Sequence, residues 1–398
     1  MPLPLYLLAL AVFAMGTSEF MLSGLVPGIA SDLGVPLGTA GALTPGFAIG
    51  MAVGAPLAAV LTRDRPGRGN LLLFVLGFAA AHAVGAVATS FPVLFATRVV
   101  AALANAGFLA VALTTAAGLV PRDRTGRALA VLLSGTTLAT IAGVPAGALL
   151  GTLLGWRAAF WAVAALCLPA AVGIVTGLPA LSPREDAAGR PALRAEFARL
   201  RSPRLLLVML LGALVNAATF GSFTFLAPVV TDRAGLGRLW VPAVLVLFGA
   251  GSLAGVTLAG RFADRRPGPV VAVGGPLLLV GWPALALLAE RPAALLVLVF
   301  ALGALSFALG STLITRVLYE AAGAPTLAGA YATAALNTGA AVGPLLAATT
   351  LGTGLGTVGP LWAGGGLVAV ALSLALPFRA VVSGEQRRGG RRTGAAVR

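Results

Sequence analysis

Long apolar stretches separated by short polar loops constrain this chain more than any other feature. A membrane-spanning helix needs roughly 20 mostly apolar residues, whereas a strand of a membrane β-barrel needs about 10 that alternate in polarity. The apolar stretches here are unbroken and of helical length, and only 10% of all residues are charged. The sequence therefore predicts an all-α membrane protein with twelve transmembrane helices, near 5–28, 38–62, 70–90, 92–119, 128–151, 157–178, 205–230, 240–262, 269–289, 292–317, 326–351 and 358–380.

The net charge of +15 suggests a nucleic-acid partner at first sight, but the distribution of the charge argues against one. Most of the arginines fall in the loops that share one side of the membrane if the helices alternate in direction. These loops are 63–69, 121–127, 179–204, 260–267 and the segment from Arg379 onward. Basic loops mark the cytoplasmic side. We therefore predict a multi-pass protein of the cell membrane with both termini in the cytoplasm, and no nucleic-acid binding.

The two halves of the chain repeat each other. Asp32 and Asp232 are 200 residues apart, as are Asp64 and Asp264, and Pro145 and Pro344 are separated by nearly the same interval. Such an offset indicates an internal duplication into two pseudo-symmetric six-helix halves with the same orientation. The predicted domains are 1–178 and 205–380, joined by a cytoplasmic linker at 179–204 and followed by a basic cytoplasmic tail at 381–398.

The linker contains Leu193, Phe197 and Leu200 at helical spacing among arginines. This pattern suggests a short basic helix on the inner membrane surface. A solvated linker is the open alternative.

Two loops, "TRDRPGRGN" at 62–70 and "GRFADRRPG" at 260–268, resemble the cytoplasmic signature of the major facilitator superfamily. The resemblance implies a twelve-helix transporter fold. An aspartate beside arginine at a helix end can join neighbouring helices by charge-assisted hydrogen bonds. We expect these residues to form a conformational latch that holds in one transport state, although simple inside charge also explains them. The predicted latch residues are Asp64, Arg65, Arg68, Asp264 and Arg265.

Glycine and proline recur together in two of the predicted helices. The stretch "GTTLATIAGVPAGALLG" contains Gly143 and Pro145, and "GAAVGP" contains Gly343 and Pro344. These stretches resemble the antiporter motif of proton-coupled drug exporters. Small residues allow helices to approach closely, and proline bends a helix. A packing role without any bearing on coupling is the open alternative.

Glu19 lies inside the first apolar stretch, where an ionisable group is costly and indicates function. With the N-terminus inside, Glu19 lies roughly 21 Å from the inner face of a core about 30 Å thick. Arg98, on an antiparallel helix, falls at about the same depth. Two conformations that bring these charges together or apart would give Glu19 two proton affinities. We predict that Glu19 and Arg98 couple transport to protons. The alternatives are a purely structural hydrogen bond at Glu19 and an interfacial Arg98 that reaches toward water.

Several polar and aromatic side chains share helix faces that can line a cavity for a neutral amphipathic compound. Each asparagine can alternatively join two helices, and His82 is expected to be a packed histidine. No metal cluster, nucleotide-binding loop or catalytic triad is present in the sequence, so we expect no enzyme activity and no cofactor, with the proton gradient as energy source. The predicted substrate-binding residues are Asn105, Phe108, Asn216, Phe220, Phe223 and Asn337.

The stretches "GTSEFMLSGL", "ALANAGFLAVAL", "GALVNAATFGSFTFLAP" and "GSTLITRVLYEAAGAPTLAGAYATAALNTGAAVGP" resemble the chloramphenicol exporters of actinomycetes, which are drug:proton antiporters of the major facilitator superfamily. The resemblance covers about residues 5–380. It implies efflux of chloramphenicol or a similar amphipathic drug by alternating access, conferring resistance. The expected partners are the drug, protons and the lipid bilayer, with the chain acting as a monomer.

Two other functions stay open at this point. The same fold can export a sugar or another small metabolite, although few charges are available to bind a zwitterion. A passive pore or a membrane receptor is the other alternative, but neither needs a titratable group such as Glu19.

Overall fold

The computed structural model describes residues 1–35, 39–40, 42–62, 67–121, 124–178, 192–237, 240–262 and 267–378, and within them all regular structure is helical. The all-α prediction is confirmed. The first half comprises α1 (Leu3–Leu33), α2 (Leu43–Leu61), α3 (Gly67–Ala86), α4 (Phe91–Gly118), α5 (Thr125–Leu138), α6 (Val144–Leu154) and α7 (Trp156–Gly177). The short helix α8 (Leu193–Ala198) follows, and then α9 (Pro203–Thr224), α10 (Trp240–Phe262), α11 (Pro267–Leu288), α12 (Pro292–Glu320), α13 (Ala328–Leu351) and α14 (Gly359–Ala375).

Within the described residues, nine helices are long and apolar enough to cross a membrane, and the bent pair α5–α6 brings the number to ten. Two further apolar stretches, Leu3–Glu19 and Ala243–Ala259, are shorter. The count of twelve spans therefore stays a prediction.

The outer faces of the helices are apolar, as a hydrocarbon environment requires. Large aliphatic side chains are more than half exposed on helices from both halves, and such an extensive exposed apolar surface is unusual for a soluble monomer. Examples are Leu73, Leu153, Val172, Val280, Leu287 and Val297. These side chains are in position to contact lipid.

The helices pack mainly within each half of the chain. In the first half α1 packs against α5, α6 and α7, while α4 packs against α2 and α3. In the second half α9 packs against α13 and α14, and α10 packs against α12. Contacts across the halves run between α2 and α13 and between α5 and α10. The two halves therefore face each other along these four helices.

The linker helix α8 is fastened to the start of α13 by one buried carboxylate. Glu196 is fully buried, and its Oε2 accepts hydrogen bonds from the backbone N–H groups of Thr326 (2.9 Å) and Leu327 (3.1 Å). Its Oε1 accepts from the Thr326 hydroxyl at 2.8 Å, and the Tyr331 hydroxyl donates to the Glu196 carbonyl at 3.0 Å. Leu327, the N-cap residue of α13, has no polar side chain. Glu196 therefore supplies the acceptor that helix N-termini need.

The side chains that α8 buries differ from those that the predicted amphipathic helix of Leu193, Phe197 and Leu200 would bury. Phe197 is 42% exposed, as a membrane-facing side chain would be, whereas Leu200, in the 3-10 turn Arg199–Arg201 after α8, packs against the hydrophobic core. The most buried side chain of α8 is the acidic Glu196. The helix is therefore oriented by hydrogen bonds to α13 more than by its apolar residues.

At the opposite end of the bundle, Asp32 joins three segments of the first half. Its Oδ2 accepts hydrogen bonds from Arg157 and from the Trp156 indole N–H, the latter at 3.1 Å. Arg157 also donates to the carbonyl of Ala88 at 3.0 Å. The hydrogen bonds from Arg157 and Trp156 hold the pKa of Asp32 below its ordinary value of 3.8.

Candidate transport site

A central cavity lies between the two halves, with walls from α1, α2, α4 and α5 on one side and α9, α10, α12 and α13 on the other. The volume that the centre of a water molecule can occupy inside it is about 200 Å³. One water needs about 10–15 Å³ on this measure, so the cavity has room for a small organic molecule. Its walls are largely apolar, with a minority of hydroxyl and amide groups.

Glu19 carries the only ionisable side chain among the described residues that line the cavity. It forms no hydrogen bond or ion pair with another described residue, and the charge that acts on it electrostatically is that of Arg98. A single carboxyl group in an apolar cavity can exchange a proton with water or with a bound compound.

Arg98 lies beside the first helix but bonds to the residue next to Glu19. Its guanidinium donates from Nη1 to the Ser18 hydroxyl at 2.5 Å and from Nη2 to the Ser18 carbonyl at 3.2 Å. Nη1 is also 3.4 Å from His82 Nε2, and the Ser18 hydroxyl lies 2.6 Å from that same nitrogen. All three side chains are at most 1% exposed. Arg98 is therefore buried in the helix bundle, with Ser18 and His82 as its hydrogen-bond partners.

Aromatic rings surround this buried cation. The guanidinium carbon of Arg98 lies 4.4 Å from the ring centre of Phe47 and 6.0 Å from that of Phe160. Phe78 and Phe160 also flank His82, at centroid distances of 4.2 and 5.5 Å. Rings in this position stabilise a desolvated guanidinium through their quadrupoles.

The structure places four of the six predicted substrate-binding residues on the cavity wall: Asn105, Asn216, Phe220 and Asn337. The amide of Asn216 donates to the Leu336 carbonyl of the neighbouring helix at 2.7 Å, which is the helix-joining alternative stated above. Asn337 donates to the Thr333 carbonyl of its own helix at 3.0 Å. Both amides keep their carbonyl oxygen available to accept a further hydrogen bond.

The two other predicted residues lie behind the wall. Phe108 is fully buried in the core, because its side chain points into the packing of the first half. Phe223 stacks on Phe248 at a centroid distance of 4.7 Å, and Phe248 in turn packs against Phe307, which does line the cavity. A ligand in the cavity would meet Phe220 and Phe307 before it reached Phe223.

The predicted antiporter motif lies at the closest approach of α6 to α1. A π-helical turn at Ala139–Gly143 joins α5 to α6 with a bend of 40°, directly before Pro145. A β-carbon added to Gly143 would lie 2.9 Å from the Thr17 hydroxyl oxygen, and one added to Gly147 would lie 2.6 Å from Met21 Cβ. The glycines thus bring α5–α6 against the segment of α1 that carries Ser18 and Glu19.

The second copy of the motif packs in the corresponding way. A β-carbon on Gly343 would lie 2.7 Å from the Cα of Ala217 on α9. Pro344 follows within α13 without ending the helix. Both copies therefore permit close helix contact, and their bearing on coupling stays a prediction.

The predicted latch falls mostly outside the described residues, which exclude Asp64, Arg65, Asp264 and Arg265. Arg68, at the start of α3, is described and donates from Nη1 to the Leu178 carbonyl at 3.3 Å. This bond connects the start of α3 to the end of α7 within the first half.

Three groups of site residues were missed by the sequence analysis. Ser18 was passed over although it adjoins Glu19, and His82 was expected only to pack. Ser306, Phe307, Gly310, Ser311 and Ile314 line the cavity from one face of α12. Their i, i+4 and i+7 spacing was the signal that would have found this face.

A cavity between two helical halves, with one carboxyl group among its described lining residues, is the architecture of a secondary transporter. The chain belongs to the Major Facilitator Superfamily, whose family model matches residues 8–335. It is 74% identical over 383 residues to the "Chloramphenicol resistance protein" of Streptomyces lividans, an alignment that covers 96% of this chain and 98% of that protein.

Solved structures agree on the fold. The chain superposes on the human organic anion transporter MFSD10 (TETRAN) with a TM-score of 0.71 and 20% sequence identity, covering 94% of this chain and 97% of that one. It superposes on the transporter FucP in the outward conformation with a TM-score of 0.70 and 14% identity, covering 94% and 98% of the two chains. At these identities the similarity shows the major facilitator fold alone.

Proposed function

We propose that this protein exports chloramphenicol, or a neutral amphipathic drug like it, in exchange for protons. The observation that carries the proposal is the central cavity, in which Glu19 is the one ionisable group among the described lining residues. The 74% identity to a chloramphenicol resistance protein along nearly the whole chain supports the choice of drug.

The cavity suits such a substrate chemically. Leucine, valine and phenylalanine side chains supply apolar surface, while Asn105, Asn216, Asn337 and Ser311 offer hydrogen bonds to hydroxyl, amide or nitro groups. Since no described lining residue carries a positive charge, the wall offers an anionic substrate no partner of opposite charge and suits a neutral compound better. The substrate is held by many weak contacts and a few hydrogen bonds, as in other small-molecule sites.

In the proposed cycle Glu19 binds a proton from outside while the drug leaves, and cytoplasmic drug displaces that proton after the carrier has turned inward. We propose that both termini are cytoplasmic, that the single chain is the transport unit and that the proton gradient replaces any cofactor. The distribution of arginines among the loops supports the orientation.

One proton per neutral drug would make export electrogenic. The membrane potential then contributes about 2.3 kcal/mol per 100 mV, and each unit of pH gradient adds about 1.4 kcal/mol. Each driving force should therefore sustain export when the other is absent.

The test is drug export from proteoliposomes that hold the purified full chain. Wild type should export chloramphenicol when driven by a pH gradient alone or by a potassium diffusion potential alone. Glu19→Gln should abolish both responses and leave passive drug counterflow. The matched control is Glu290→Gln, which changes an exposed carboxylate paired with Arg233 far from the cavity wall.

Three outcomes would contradict the proposal. Uphill export by Glu19→Gln at the wild-type rate would remove Glu19 from coupling. Counterflow of a sugar or another metabolite, but not of chloramphenicol, would favour a metabolite exporter. Drug flux without any response to either driving force would indicate a passive pore.

A further inference from the structure

The hydrogen bonds around Arg98 have a fixed direction that follows from their chemistry. A carbonyl oxygen only accepts, so the 2.8 Å contact between His82 Nδ1 and the Phe78 carbonyl places the hydrogen of the imidazole on Nδ1. Nε2 of the neutral ring is then an acceptor. The Ser18 hydroxyl must donate to it, and the oxygen of Ser18 in turn accepts from Arg98 Nη1.

A doubly protonated His82 does not fit this site. Its Nε2–H would face Arg98 Nη1 at 3.4 Å, which would place two cations against each other in a buried environment. The chain of donors therefore runs from Arg98 to Ser18 to the neutral His82, and it ends at the Phe78 carbonyl.

The consequence concerns Glu19, the next residue along α1. Successive helical residues point about 100° apart, so Ser18 faces α3 and α4 while Glu19 faces the cavity. Both terminal nitrogens of the Arg98 guanidinium donate to Ser18. Arg98 makes no ion pair with a carboxylate of the described residues, although Glu19 is close enough to act on it electrostatically.

We propose that Ser18 and His82 are positioning residues whose hydrogen bonds keep Arg98 away from Glu19. The position of Arg98 then sets how tightly Glu19 binds its proton. The inference rests on the proposed proton-coupled export. When the hydrogen bonds between Arg98 and Ser18 break, the guanidinium can pair with Glu19. The pair favours the ionised carboxylate, which then releases its proton.

Few other charged or titratable groups face this part of α1. Helix α2 has no ionisable side chain, and α5–α6 has only Arg127, near its start. Helix α7 contributes Arg157, which pairs with Asp32 at the end of the bundle, and Cys167, which is buried in the core. Across the cavity, α9 has Arg204 alone, and Arg316 of α12 pairs with Glu320. Arg98 is thus the group whose position decides the local field at Glu19.

The experiment measures proton-dependent chloramphenicol exchange in proteoliposomes of the full chain as a function of pH. Ser18→Ala removes the central hydroxyl, and His82→Leu removes the terminal acceptor. In both variants the pH of half-maximal exchange should shift downward by about one unit or more, which is a tenfold weaker proton affinity. The maximal rate of proton-independent drug counterflow should stay within about twofold of wild type, which is small beside the tenfold change expected in proton affinity.

Two control variants separate this role from a structural one. His82→Gln keeps a side-chain acceptor for Ser18 and should restore a midpoint close to that of wild type. Ser252→Ala removes a hydroxyl that is equally buried but donates to the Phe248 carbonyl of its own helix at 2.9 Å, and it should leave the midpoint unchanged.

The inference is overturned if Ser18→Ala exchanges drug with the wild-type midpoint, whether or not His82→Leu folds. It is also overturned if Ser252→Ala shifts the midpoint as far as Ser18→Ala does, because the loss of any buried hydroxyl would then produce the shift. If wild type itself shows no dependence on protons, the proposed function fails and this inference fails with it.

Discussion

Replacing Gly343 by alanine tests whether close contact between α9 and α13 holds the second half together. The added β-carbon would lie 2.7 Å from the Cα and 2.8 Å from the carbonyl carbon of Ala217, and it would come even closer to the carbonyl oxygen. Carbon atoms pack best at about 3.5–4.0 Å, so the two helices must separate by about 1 Å. All three neighbouring atoms belong to the backbone and cannot move aside by a change of rotamer.

The magnitude follows from two opposing effects. Overpacking of this kind typically destabilises by about 1–3 kcal/mol, whereas alanine in place of a helical glycine stabilises by about 0.5–1 kcal/mol. The net loss in free energy of unfolding is therefore about 0–2.5 kcal/mol, centred on about 1 kcal/mol. Export should fall as well, because α13 lines the cavity at Asn337 and Ala340, six and three residues before Gly343.

Unfolding in detergent, followed by tryptophan fluorescence in a denaturant titration, measures the change. The matched control is Gly366→Ala in α14, where the new β-carbon meets nothing within 4 Å and only the helical gain of about 0.5–1 kcal/mol remains. A Gly343→Ala protein as stable as Gly366→Ala would refute the packing argument.

Two further perturbations test contacts outside the cavity. Glu196→Ala should loosen α8 from α13 by about 1–3 kcal/mol, because the backbone N–H groups of Thr326 and Leu327 lose the side-chain acceptor that they share. Proteolysis within the linker should accelerate, and a cleavage rate equal to that of Glu290→Ala would argue against the docking. Asp32→Asn should destabilise the protein at neutral pH. Since the pKa of Asp32 is lowered in the folded state, its contribution is present above the ordinary carboxyl value near 4 and is lost as the pH falls below it. The denaturation midpoints of Asp32→Asn and wild type should therefore converge at acid pH. A difference between the two midpoints that grew at acid pH would exclude a stabilising role for the ion pair between Asp32 and Arg157.

The sequence by itself determined the fold class, and it drew attention to Glu19, which lines the cavity. In a membrane the backbone N–H and C=O groups of an unbroken apolar stretch can form hydrogen bonds only within their own helix. Hydropathy alone therefore predicts helices. The cost of a carboxyl group in hydrocarbon likewise identifies Glu19 without any coordinates. Helical spacing further placed Asn216 and Phe220 on one face, and both line the cavity.

Tertiary structure decided which neighbour each face meets. Periodicity assigns a side chain to a face of its helix, but not to the cavity or to the packing behind it. Phe108, predicted to bind substrate, therefore lies in the packing of the first half. The sequence places Arg98 and Glu19 at the same depth in the membrane. Arg98 nevertheless forms its hydrogen bonds with Ser18, which precedes Glu19 and points about 100° away from it around α1. The contact between Ser18 and His82, 64 residues apart, and the burial of Glu196 beneath α13 arise from helix packing, which no local pattern in the chain encodes.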